Sequence, residues 1–158
     1  MAKAPRFDSL TPEQSLDRAG RTVLRGLLEA TLAEAPAVLS GEDVKATHDM
    51  RVGIRRLRSA LDTFADAFPR KRLRPFAQAT RRVGRRLGMV RDADVHLAAL
   101  RAALGGATVD ETPGIVYGLE TIAHRRRRAL SKFAIELSQF DRNGFFALLK
   151  DDDGATAG

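Results

Sequence analysis

Apolar positions along this chain recur with the three- and four-residue alternation of helices, and no two-residue alternation runs long enough to mark a strand. The clearest series is Met50, Ile54, Leu57, Leu61, Phe64 and Phe68, spaced 4, 3, 4, 3 and 4. Such spacing places all six within about a third of a helix circumference. It predicts a helix from about Glu42 to Phe68, stopped by Pro69. An earlier helix is expected from Thr11 to near Leu39, before Gly41. Thr11-Pro12-Glu13-Gln14 combines an N-cap, Pro at N1 and Gln at N3. Leu16, Val23, Leu24, Leu27, Leu28 and Leu32 form the apolar face of that helix. A third helix opens near Pro75 on Phe76, Thr80, Val83, Leu87 and Val90, and Gly88 ends or bends it. Asp92 reads as the N-cap of a fourth, which carries Val95, Leu97, Leu100 and Leu104 and ends at Gly105-Gly106. Thr112-Pro113 starts a fifth, running to about Leu137 on Ile115, Leu119, Ile122, Leu130 and Phe133. Asp141 caps a short sixth that ends near Lys150.

Short connections between long helices imply antiparallel neighbours. The expectation is an all-α antiparallel bundle of about six helices in a single domain over residues 9–150. The first four form a bundle over 9–105, and the helices of 112–150 add to it. Residues 1–8 and the tail 151–158, which opens with three aspartates, are expected to be disordered.

Composition narrows the chemistry. Hydrophobic residues are 44% of the 158, enough for a real core. The chain has no Cys, which excludes disulfides, thiolate metal sites and a Cys nucleophile. No two of the three His sit at metal-ligand spacing, so neither a metal nor another cofactor is expected. The N-terminus shows no apolar signal region, and no stretch approaches the roughly 18 apolar residues that span a bilayer. The reading is a soluble, cytoplasmic protein with no membrane partner.

Charge changes the picture more. The net charge is +7, but residues 45–91 alone carry 14 Lys or Arg against three acids, Asp49, Asp62 and Asp66, a local balance of +11. The excess therefore lies in one segment of an otherwise mildly acidic chain, which points to a polyanionic partner. Arg outnumbers Lys 22 to 5, and the guanidinium fork matches phosphate oxygens in a way an ammonium group does not.

On the second helix, His48, Arg51, Arg55 and Arg58 fall within about 80° of arc opposite the apolar face, roughly one basic group per turn. Lys45 and Arg56 flank this ridge. Arg18, Arg21 and Arg25 repeat the device on the first helix, and Arg81, Arg82 and Arg85 on the third. Like charges so stacked cost a few tenths of a kcal/mol per pair. A polyanion lying along them would neutralise that repulsion and release its own counterions. The plainer alternative is a solvated basic surface. His96 and His124 stand apart from these rows and read as structural.

The segment His48-Asp49-Met50-Arg51-Val52-x-x-Arg55-Arg56-Leu57-Arg58, followed by Leu87-Gly88-x-x-Arg91-Asp92-x-Asp94-Val95, resembles the two signature segments of CHAD domains. The resemblance implies a helical bundle without catalytic activity whose basic surface binds inorganic polyphosphate, with association to polyphosphate granules. It gives the binding role to His48, Arg51, Arg55 and Arg58. Arg91 and Asp92 are expected to work structurally, with Asp94, at the turn between the third and fourth helices. The C-terminal part has no second His-x-x-Arg-x-x-x-Arg helix; His124-Arg125-Arg126-Arg127-Arg128 is a loose echo. The chain thus looks like a short member matching mainly the first half of the family's pattern, with a homodimer or a second-half partner as candidate company. Arg126 falls on the apolar side of the fifth helix, where an unpaired charge is costly.

Two other readings stay open on these residues. The same stripes would bind nucleic acid without sequence preference, although base-stacking aromatics are not evident. His48 on a helical bundle could also serve as a phosphotransfer residue, for which the surrounding cationic ridge is unusual.

Overall fold

The computed structural model describes residues 5–150. The expected disorder of 1–4 and of the tail 151–158 concerns residues outside that range. Among the described residues the regular structure is entirely helical. In order, α1 spans Leu16–Ala33, α2 Ala35–Ser40, α3 Val44–Thr63, α4 Arg70–Leu104, α5 Thr112–Ser138 and α6 Arg142–Leu148, with one 3-10 turn at Ala65–Ala67. Five of these helices have seven residues or more; α2 is a six-residue continuation of α1 past a break at Glu34.

Successive long helices pack side by side, α1 on α3, α3 on α4 and α4 on α5. Their contacts fill two apolar clusters. One gathers Leu24, Leu27 and Leu28 of α1, Leu57 and Leu61 of α3, Phe68 and Leu73, and closes with Phe145, Leu148 and Leu149 at the C-terminal end. Phe76 stacks on Phe145 there, with centroids 4.7 Å apart. The other joins Val38 of α2, Met50 and Ile54 of α3, Val83, Leu87 and Val90 of α4, and Ala129 and Phe133 of α5. The apolar series read on the second helix therefore becomes the spine of both clusters: five of its six members are buried, and Phe64 packs at the edge of the first. Burying one such side chain fully stabilises by about 1.5–3 kcal/mol.

α3 has close neighbours on both sides, and glycines make this possible. A Cβ on Gly53 would lie 2.5 Å from Thr31 Oγ1, and a Cβ on Gly84 would lie 3.0 Å from Ile54 Cγ2. Gly53 thus lets α1 approach α3, and Gly84 lets α3 approach α4.

Several boundaries differ from the expectation. The third and fourth helices are one, α4, which passes through both Gly88 and Asp92 and starts at Arg70, before Pro75. Asp92 is therefore not an N-cap, and no turn exists there for Arg91 and Asp92 to hold. The reason is the phase of the apolar face: Leu73, Thr80, Val83, Leu87, Val90, Asp94 and Leu97 are all buried on one continuous stripe. A break at Asp92 would misalign Leu97 with the core that Val83 and Leu87 already define. Val95, expected inside, is 48% exposed for the same reason. Six expected helices become five in this way. At the start, Thr11-Pro12-Glu13-Gln14 forms a turn, with Gln14 N–H donating to Thr11 O, and α1 begins only after the extended Ser15. Phe7, expected in a disordered tail, packs against Gly26 and holds this segment along α1. Asp43 caps α3 by accepting from Lys45 and Ala46 N–H, and Asp141 caps α6 by accepting from Gly144 N–H. Gly41 ends α2 with φ 76°, a left-handed conformation that suits glycine.

Candidate functional site

The N-terminal half of α3 and the middle of α4 run antiparallel, and Ile54 meets Gly84 where they approach closely. Beyond that crossing they leave an open groove of about 460 Å³. His48, Arg51, Arg55 and Arg56 line its α3 wall, and Arg91, Asp92 and Val95 its α4 wall. The α3 wall follows from helical spacing, because the apolar positions Met50, Ile54 and Leu57 are pinned in the core and turn 48, 51 and 55 outward. His48, Arg51 and Arg55 are exposed, Arg91 is half-buried, and none of the four has a carboxylate partner among the described residues. Asp92 is the single acid of the lining. The result is a concave, strongly positive surface walled by guanidinium groups, with no Phe, Tyr or Trp in its lining. Such a surface can bind phosphate oxygens by charge-assisted hydrogen bonds.

The other basic residues singled out in the sequence do not join it. Arg58 is exposed one turn past Arg55, outside the groove lining. Lys45 holds Asp49, a carboxylate that is only 3% exposed. The hydrogen bond and charge of Asp49 raise the Lys45 ammonium above the ordinary lysine range. That pairing is complete through neutral pH and fades only as pH climbs past the raised value. Arg21 reaches back to the α6 end, donating to the carbonyls of Leu148 and Lys150, and its guanidinium lies over Phe68 at 5.5 Å. Arg81 pairs with Asp62 of α3 at 3.3 Å, and Arg82 with Glu136 of α5 at 2.7 Å. Arg18 and Arg25 are exposed on α1, away from the groove, and Arg85 is exposed on α4. The three stripes are thus not equivalent. Those of α1 and α4 are partly taken up by structural partners, whereas Arg51 and Arg55 keep their charges available.

Arg91 differs from its expected place. Read as part of a turn, it sits mid-helix and faces His48 and Arg51 across the groove. Asp94 does work structurally: its buried carboxylate receives Arg126 Nε, and the pair is 14% and 1% exposed on its Arg and Asp sides. This answers how an Arg on the apolar side of α5 is tolerated. His96 and His124 are both exposed.

A family model, the CHAD domain, matches residues 22–153, most of the chain. The chain belongs to the CHAD-domain family. The match runs past the two motifs of the first bundle and through α5 and α6, so membership does not rest on the first half alone. No curated protein and no solved structure matches this CHAD domain. No helix among its described residues is long and apolar enough to cross a membrane.

Proposed function

We propose that this CHAD domain binds inorganic polyphosphate without transforming it, seating the polymer in the groove between α3 and α4. CHAD domains are linked to polyphosphate binding in general, and association with polyphosphate granules in the cytoplasm belongs to the same reading. One observation carries it: His48, Arg51, Arg55 and Arg91 converge on a single groove with only Asp92 opposing them. A row of donors one turn apart, about 5.4 Å along the helix, suits a repeating chain of phosphates better than one compact anion. The lack of Phe, Tyr or Trp in the lining favours phosphate over nucleic acid, whose single-stranded forms gain much of their affinity by stacking bases.

The test is polyphosphate affinity as a function of salt. Binding should weaken steeply with salt, and each of Arg51→Ala, Arg55→Ala and Arg91→Ala should lower the log–log slope by roughly 0.7. Each should also weaken binding about tenfold, as expected for loss of a charge-assisted contact of about 1.5 kcal/mol. Long-chain polyphosphate should displace duplex DNA at physiological salt. Unchanged affinity in all three variants would overturn the assignment, and preference for DNA would replace it with nucleic-acid binding. Incubation with a phosphodonor should leave His48 unlabelled.

A further inference from the structure

A second basic row stands on α5. Arg125, Arg128 and Lys132 are spaced 3 and 4 and are all exposed. None of the three has a carboxylate partner among the described residues. Glu136, one turn further along α5, is already bonded to Arg82. The three cations line a groove of about 470 Å³ between α5 and α4, with the buried Ala93 and Ala129 also in its lining and Met89 and His96 on its α4 wall. Like the α3 row, this one is left to repel itself by a few tenths of a kcal/mol per pair.

Its position gives it meaning. Asp92 lines both grooves. Arg91 and Val95 look toward α3, while Met89 and His96 look toward α5, so the two grooves flank the same two turns of α4. We propose that the α4–α5 groove is a second phosphate subsite, and that one polyphosphate chain crosses α4 over Asp92 to occupy both. The proposal rests on the α3–α4 groove being a polyphosphate site. Each row is about 10 Å long, from 48 to 55 and from 125 to 132 at about 1.5 Å per residue. Crossing α4 adds about one interhelical spacing, 8–10 Å. Short oligophosphates would therefore fill one groove at a time, and only longer chains would join the two. The polymer runs across the helices here, and the preference for chain length comes from the distance between the two rows.

Titration calorimetry of the full chain with tripolyphosphate and with long-chain polyphosphate tests this. The wild type should bind two tripolyphosphates per chain, and the triple variant Arg125→Gln/Arg128→Gln/Lys132→Gln only one. For long-chain polyphosphate the triple variant should lose at least tenfold in affinity and about two units of salt slope, at roughly 0.7 per lost contact. Asp92→Asn should tighten long-chain binding severalfold, a gain that a damaged fold cannot produce. If the α5 triple variant binds the long chain as tightly and as salt-dependently as the wild type, while Arg51→Gln/Arg55→Gln does not, the second subsite is wrong and the first stands. If neither variant differs from the wild type, both assignments fall. Unchanged affinity in Asp92→Asn would overturn the crossing over α4.

Discussion

Arg21 and Arg55 occupy equivalent places in their helices, each on a row of basic residues opposite an apolar face, yet they do different work. Arg21 is four-fifths covered, holding two backbone carbonyls near the end of α6 and lying on Phe68. Arg55 lies open on a groove wall and has no carboxylate partner among the described residues. The difference comes from what stands opposite each row. α1 faces the end of α6, whose last carbonyls lack intrahelical donors, and a guanidinium satisfies them. The α3 wall faces Arg91 across an open groove, so its charges are left for a ligand. Periodicity decides which side of a helix a cation is on; the neighbouring element decides whether it becomes a strut or a binding group.

That contrast can be broken or sharpened by substitution. The largest effect should come from the most deeply committed arginine. Arg126→Ala leaves the buried Asp94 carboxylate without its partner and should destabilise the fold by about 3–5 kcal/mol in urea denaturation. Arg126→Met/Asp94→Leu should recover most of that loss. Arg21→Ala should cost about 1–2 kcal/mol, from the lost carbonyl contacts and the contact with Phe68. It should leave polyphosphate affinity near that of the wild type; a large affinity loss would erase the distinction between strut and binding group. Gly88→Ala should raise stability by about 0.5–1 kcal/mol, because Gly88 is interior to α4 and a Cβ there meets nothing within 4 Å. A lower melting temperature for that variant would mean that the bend expected from the glycine is needed after all. Arg55→Ala should change stability by less than about 0.5 kcal/mol while weakening polyphosphate binding, the reverse of Arg21→Ala.

The cores of the helices were legible in the sequence because burial follows local periodicity. Met50, Ile54, Leu57 and Leu61 are inside where their spacing put them. The continuity of α4 was legible too, but was overridden by a local signal. Asp92 resembles a cap, yet Leu73, Thr80, Val83, Leu87, Val90, Asp94 and Leu97 keep one phase across it. A helix with a fixed buried face is held by tertiary packing more strongly than by the preference of one residue. Thr11 failed in the opposite direction: its capping pattern is complete, but Phe7 anchors the preceding segment on Gly26 and delays the helix to Leu16.

The α3 row of the candidate site was readable for the same reason as the core, since 48, 51 and 55 are the complement of 50, 54 and 57. What could not be read is any partner distant in sequence. Arg82 and Glu136 are separated by 54 positions, and Arg21 and Leu148 by 127. No pattern within one helix carries those pairings. Arg91 was missed because its place depended on the false break at Asp92. The α5 row was visible as the spacing of 125, 128 and 132, but the run of four arginines obscured it.

The length of α4 bears on how the molecule breathes. At 35 residues it extends about 50 Å. Its last buried residue is Leu97, and the first buried residue of α5 is Ala129. The hairpin between them, which includes the far end of both helices, adds no fully buried side chain. Amide protons of a single uninterrupted helix should therefore exchange at graded rates, slowest from Val83 to Val90 and progressively faster toward Leu104.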